Sequence, residues 1–360
     1  MGKLDKNLFI RVDAGTKIGT GHIMRCLTLA DSLKKRFYKI IFISNQMPEN
    51  LSSLIKNRGY EIHYIFGHTQ TESQIRNQKY KKSIQNDIKQ SAEIINSYRN
   101  IENWLIIDHY GIDQKWEKRI RDSVKKIIVI DDLANRKHDC DVLIDQNYHS
   151  NMKKRYEKLV SRKCLQLLGP KFALLRPEFK ETRKKTRKKR KLQRILISFG
   201  GSDPMNQTSK VLRGIKDTDS EFIVDVIAGK ANPHKKTIKK LCSSIPNVSF
   251  YPYIKNMAKI MLKADLAIGG GGSTTWERCC MGLPAVVSIL SDNQCQITKE
   301  VARIGCVINL GLANSLKPVD YVDTLKRLNP KKLQDMSKRC ISLVDGKGTE
   351  RVSRKIFQVE

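Results

Sequence analysis

Leu8-Phe-Ile-Arg-Val12 is a short apolar run that stops at a glycine-containing turn, and a helical pattern follows it. The same unit recurs along the chain and limits the fold more than any other feature. Short β-branched runs between helical stretches assemble into open parallel sheets covered on both faces. In the first half the runs are 8–12, 40–44, 104–108 and 127–131, each ending in a polar residue or a turn, as buried strands do. Helices are predicted between them over 22–37, where Ile23, Leu27, Ala30 and Leu33 fall at helical spacing, and over 83–96. The second half repeats the theme with 195–199, 222–227, 248–250, 266–268, 285–288 and 307–309. Two Rossmann-like α/β domains are therefore expected.

Between the halves lies 183–194, where nine of twelve residues are Lys or Arg. A run so uniformly charged repels itself and predicts an extended, solvated connector. It divides the chain into domains at 1–180 and 195–340 joined by a basic linker, 181–194, with 341–360 expected as a C-terminal helix packing back on the first domain. A length of 360 residues with 40% hydrophobic content suffices for two cores. The net charge of +32 admits nucleic acid, an anionic membrane surface or an anionic small substrate. No aromatic residues interleave with the basic run, as base stacking would require, so nucleic-acid binding is a remote alternative and no nucleic-acid partner is expected. No stretch approaches the ~20 apolar residues of a membrane span, which argues against stable membrane insertion. The first apolar run is short and broken by Arg11, unlike a signal peptide. A cytoplasmic chain, monomeric or weakly oligomeric, is expected. The nine cysteines form no CxxC pair and are odd in number, so neither a disulfide framework nor a zinc site is indicated and no metal is expected.

In open α/β sheets the working residues follow the strands, where the strand order reverses. The first such turn reads Asp13-Ala-Gly-Thr-Lys-Ile-Gly-Thr-Gly-His22. It lacks the third glycine of a dinucleotide fingerprint, but Gly21 and His22 stand at a helix start, with Asp13 and Arg25 nearby. A helix N-terminus disfavours protonated imidazole and so keeps a histidine available as a base. In the second half, Gly200, Gly201 and Ser202 follow a strand and offer backbone N–H groups to a phosphate, although Asp203-Pro204 also reads as an ordinary helix start. Four glycines at 269–272 then lead through Ser273 and Thr274 to Glu277. Bare backbone at Gly271 and Gly272 suits a diphosphate, and a carboxylate one helical turn later suits a ribose diol. Asn293 and Gln294 close another strand with amides that suit sugar hydroxyls.

With these segments in view, the whole chain resembles the PseG family, the UDP-sugar hydrolases of pseudaminic acid biosynthesis, which is related in fold to MurG and other GT-B glycosyltransferases. The resemblance rests on Ile18-Gly-Thr-Gly-His-Ile-Met-Arg25, Asp108-His-Tyr-Gly111, Asp131-Asp-Leu-Ala-Asn-Arg136, Asp145-Gln-Asn147 and Ala173-Leu-Leu-Arg-Pro-Glu-Phe179, with the glycine loops and Asn293-Gln294. It implies a GT-B-like arrangement of two parallel-sheet domains facing a central cleft. It implies metal-independent, cofactor-free hydrolysis of UDP-2,4-diacetamido-2,4,6-trideoxy-β-L-altropyranose at C1–O with inversion. His22 would be the base for water and Asp13 its orienting partner, while His109, Tyr110 and Arg176 would line the substrate site. A GT-B glycosyltransferase that passes the sugar to an acceptor hydroxyl is the nearest alternative, and fold alone does not separate the two.

Overall fold

The computed structural model describes residues 5–15, 19–65, 78–98, 101–185, 191–218, 221–229 and 232–358. Residues 16–18 of the first glycine turn and 186–190 of the expected basic linker lie outside these. The chain forms two compact units.

The first unit holds a seven-stranded parallel sheet. Its elements run β1 (Lys6–Val12), α1 (Gly21–Leu33), β2 (Lys39–Ser44), α2 (Glu49–Asn57), β3 (Glu61–Tyr64), α3 (Gln78–Asn96), β4 (Glu102–Asp108), α4 (Gln114–Ile120), β5 (Lys126–Ile130), β6 (Val142–Asp145) and β7 (Leu165–Leu168). The order is β3-β2-β1-β4-β5-β6-β7, so it reverses between β1 and β4. The register sets Val12 beside Asp108 and brings the two strand ends together. β1 and β4 are buried on both faces, which is why they read as continuous apolar runs. The helix predicted over 22–37 ends at Leu33 and finishes in a 3₁₀ turn, Lys34–Arg36.

The second unit holds a six-stranded parallel sheet. It comprises α5 (Pro177–Arg183), β8 (Arg194–Ser198), α6 (Gln207–Lys216), β9 (Ile223–Ile227), α7 (Lys235–Ser243), β10 (Val248–Tyr251), α8 (Met257–Lys263), β11 (Leu266–Gly270), α9 (Thr274–Cys280), β12 (Ala285–Ile289), α10 (Cys295–Arg303), β13 (Val307–Leu312), α11 (Pro318–Lys326) and α12 (Pro330–Leu343). The order β10-β9-β8-β11-β12-β13 reverses between β8 and β11. A last helix, α13 (Gly348–Lys355), leads back to the first unit, where Val352 and Ile356 are fully buried and Phe357 lies 4.9 Å from the Trp104 ring.

The division between units differs from the one expected at residue 180. The second unit starts at Leu175 and also takes in Asn147–Ser150. Arg183 donates to the carbonyls of Cys280 and Ile341, both at 2.7 Å, which binds α5 to the second unit. Trp276 Nε1 donates to Asn147 Oδ1 at 3.3 Å and holds the short excursion there. Among the described residues no helix is long and apolar enough to cross a membrane.

Candidate functional site

At the strand-order reversal of the first unit, Gly19 takes φ +81°, a left-handed conformation that suits glycine, and its N–H donates to the Gly15 carbonyl at 2.8 Å. Helix α1 then starts at Gly21. His22, Arg25 and Cys26 share one helix face by their i, i+3, i+4 spacing, and that face meets the end of β4.

The residue they meet is Asp108. His22 Nδ1 lies 2.5 Å from Asp108 Oδ1, while Arg25 grips both carboxylate oxygens through Nε and Nη2 at 2.6 Å each. Arg25 Nη1 reaches on to both oxygens of Asp132 at 2.9 Å, and Tyr110 Oη donates to Asp132 at 3.0 Å. The edge of Tyr110 rests against the His22 ring, with centroids 4.6 Å apart. Arg25 Nη2 also sits 3.1 Å from His22 Nδ1, but a bare Nδ1 would face carboxylate lone pairs at 2.5 Å. The shorter contact therefore puts the proton on Nδ1 and the free lone pair on Nε2. Burial alone would push the Asp108 carboxyl up, yet the charge of Arg25 and the hydrogen bonds from Arg25 and His22 outweigh it and hold that carboxyl well below the usual carboxylate range.

Asp13 does not orient His22, contrary to the sequence expectation. It is held by Arg11 (2.6 and 3.2 Å), by Ser44 Oγ (3.0 Å) and by the Asn45 N–H (2.8 Å). His109 Nε2 also approaches it at 3.1 Å, while His109 Nδ1 accepts from the Gly111 N–H at the same distance. Both nitrogens of His109 are thus committed, with the proton on Nε2, so His109 supports Asp13 rather than presenting a free base. The physical reason is direction: Asp13, one residue beyond β1, points to the β2 end, while Asp108, the last residue of β4, faces α1. Asp108 and Asp132 were missed as site residues. The available signal was a buried strand ending in Asp beside the first strand, and a second carboxylate in Asp131-Asp132.

At the reversal in the second unit, Gly200 has φ +85° and nothing within 4 Å of an added Cβ. Asp203 accepts from the N–H groups of Gln207 (2.8 Å) and Thr208 (3.0 Å) and from Thr208 Oγ1 (2.7 Å). The first two N–H groups of α6 are therefore taken by Asp203, and the turn of Gly200, Gly201 and Ser202 stands ahead of them.

The four glycines that end β11 and follow it serve two purposes. A Cβ on Gly269 would come 2.2 Å from the Ser198 carbonyl, on Gly271 2.2 Å from Thr298 Oγ1, and on Gly270 2.8 Å from Leu290 Cδ1. These three are bare because neighbouring elements pack on them. Gly272 meets nothing closer than Gln294 Nε2 at 3.7 Å, so its bareness serves the open side of the loop. Gln294 Oε1 accepts from the N–H groups of Gly271 (3.0 Å) and Leu290 (3.2 Å) and ties the loops together. Asn293 is exposed and accepts from Ser291 Oγ at 2.6 Å. Gly271→Ala is expected to lower stability by about 1–3 kcal/mol through overpacking, read as a lower urea midpoint at unchanged m.

Two expected substrate residues meet here: Arg176 Nη2 pairs with Glu277 at 3.2 Å and with Glu178 at 3.4 Å. Burial pushes the Glu277 carboxyl up and Arg176 opposes it. Ser273 and Thr274 stand at the start of α9 with no side-chain cap bond from Ser273, so its hydroxyl is not spent on the helix.

Residues 195–348 match the glycosyltransferase family 28 C-terminal domain. The chain is 30% identical over 287 residues to an uncharacterised protein of Methanocaldococcus jannaschii, an alignment covering 77% of this chain and 54% of that relative, so it spans about half of the relative's length. It is 26% identical over 356 residues to the spore coat polysaccharide biosynthesis protein SpsG of Bacillus subtilis, covering 96% of each. It is 28% identical over 272 residues to the UDP-2,4-diacetamido-2,4,6-trideoxy-beta-L-altropyranose hydrolase of Campylobacter jejuni, covering 75% of this chain and 86% of that one. The crystal structure of MurG from Acinetobacter baumannii has the same fold, with a TM-score of 0.71 at 15% identity over 98% of this chain and 99% of that one. The fold is GT-B-like, with two Rossmann-like parallel-sheet units, as the sequence predicted.

Proposed function

We propose that the chain is a nucleotide-sugar enzyme that hydrolyses a UDP-linked diacetamido-trideoxy sugar at the anomeric C1–O bond, releasing UDP and free sugar with inversion. The observation that carries this reading is the short contact of His22 Nδ1 with a fully buried, ionised Asp108, which leaves Nε2 as the basic nitrogen. The water oxygen attacks C1 opposite the leaving group, its proton passes to His22 Nε2, and the C1–O electron pair leaves with UDP. Diphosphate leaves with little acid assistance, so a base for water is the group the reaction needs most. In the second unit, Gly272, Ser273 and Thr274 take the diphosphate, Glu277 the ribose diol, and Asn293 and Gln294 the sugar hydroxyls. Similarity to a UDP-sugar hydrolase of Campylobacter and a spore coat polysaccharide biosynthesis protein of Bacillus supports a UDP-sugar substrate and polysaccharide synthesis.

The match of 195–348 to a glycosyltransferase domain favours a second reading, transfer of the sugar to an acceptor hydroxyl. Incubation of the protein with the UDP-diacetamido sugar and no acceptor separates them. Hydrolysis predicts stoichiometric UDP and free sugar, formed far more slowly by His22→Ala. UDP release only on adding an acceptor alcohol identifies transfer, and release unchanged in the His22 variant removes the histidine from the chemistry. Gly272→Ala is expected to raise KM for the UDP-sugar at unchanged melting temperature, because the added methyl meets ligand rather than protein.

A further inference from the structure

The cysteines, whose sequence spacing shows no metal pattern, converge in three dimensions. Cys279 in α9, Cys306 just before β13 and Cys340 in α12 bring their sulfurs within 4.8 Å of one another, all three buried. Arg278 lies beside them at 2% exposure. Its Nη2 donates to the Gly270 carbonyl at 2.8 Å and to Thr275 Oγ1 at 3.0 Å, its buried Nε has no partner, and among the described residues it forms no ion pair. A buried guanidinium without a paired counter-anion is expensive; neutral thiols do not supply one, and Glu277, whose charge also acts on it, is paired with Arg176. The Cys279 and Cys340 sulfurs are close enough for any charge on them to act on it.

We propose that Cys279, Cys306 and Cys340 bind one Zn(II) ion as thiolates, with Arg278 as the counter-charge. Three thiolates on a divalent ion carry one net negative charge, which the guanidinium cancels; a monovalent ion would leave a buried charge uncompensated. Zinc–sulfur bonds of about 2.3 Å around a trigonal base separate the sulfurs by about 4 Å, inside the observed limit. The Cys306 carbonyl, 3.3 Å from Cys340 Sγ, is the oxygen at hand for the fourth position. Binding displaces the three thiol protons to solvent and involves no redox step. Such an ion ties α9, which carries Glu277, to α12 and β13.

The test uses the full chain, reduced anaerobically, loaded with Zn(II) and desalted. About one zinc per chain is expected, and X-ray absorption on the unaltered protein should show about three sulfurs at about 2.3 Å. Cys306→Ser should cut zinc occupancy at least tenfold. Cys140→Ser with Cys164→Ser, a pair whose sulfurs lie 3.6 Å apart, should leave it unchanged. Absence of stoichiometric zinc, a shell of nitrogen and oxygen only, or full retention in Cys306→Ser would overturn the site. Because the absorption measurement needs no variant, misfolding of a Cys→Ser protein does not rescue the proposal.

Discussion

Replacing His22 by Ala is expected to lower kcat for UDP-sugar hydrolysis by about 10²- to 10⁴-fold while KM changes little. The size follows from removing a general base that acts in the transition state without contributing much to ground-state binding. The pH profile gives an independent check. Asp108 and Asp13 are both held well below ordinary carboxylates, so neither can supply a loss of rate as pH falls from 7 to 5. The sign for stability is fixed by the same depressions. Their contribution is fully present above the unfolded-chain value of about 3.9 and is lost only as pH falls below it towards the folded values. A melting temperature unchanged between pH 7 and pH 5 is therefore expected in thermal unfolding, and a fall within that window would contradict the depressed carboxyls of Asp108 and Asp13.

Asp108→Asn is expected to have the second large effect, on two axes at once. An amide cannot hold Nδ1–H and both Arg25 nitrogens as a carboxylate does, so the His22 tautomer is no longer fixed and kcat falls by up to about 10⁴-fold. The substitution also leaves Arg25 buried with only Asp132 to balance it, which costs about 3–5 kcal/mol and lowers the denaturant midpoint. Asp13→Asn separates the two contributions. It disturbs Arg11 and His109, hence stability, but does not touch the His22 proton, so kcat of the folded fraction should fall much less. Equal losses of kcat in the two variants would contradict the assignment of Asp108 as the positioning residue.

What the chain showed in its letters and what it withheld follow different physics. β1, β4, β8 and β11 are buried on both faces and so leave short apolar runs, visible without any structure. β3 (Glu-Ile-His-Tyr) carries exposed ends, and β6 and β7 span four residues each, too short for periodicity to register. His22 was legible because a glycine turn before a helix is a local pattern. Asp108 was not, because its role depends on parallel register with a strand nearly a hundred residues earlier. Sequence suggests a ligand for the bare backbone of both Gly271 and Gly272, whereas Gly271 is bare for Thr298, a contact that only tertiary packing creates.

The return of the chain through α13 has a consequence for its synthesis. Val352 and Ile356 belong to the same buried cluster as Phe37 and Trp104, so the first unit cannot close its core until residues beyond Gly348 have been made. The second unit is complete at Gly348 and is free to finish before the first. Until residues 349–357 have been made, the apolar surface around Trp104 stays uncovered on a nascent chain, a stage at which a chaperone would find it.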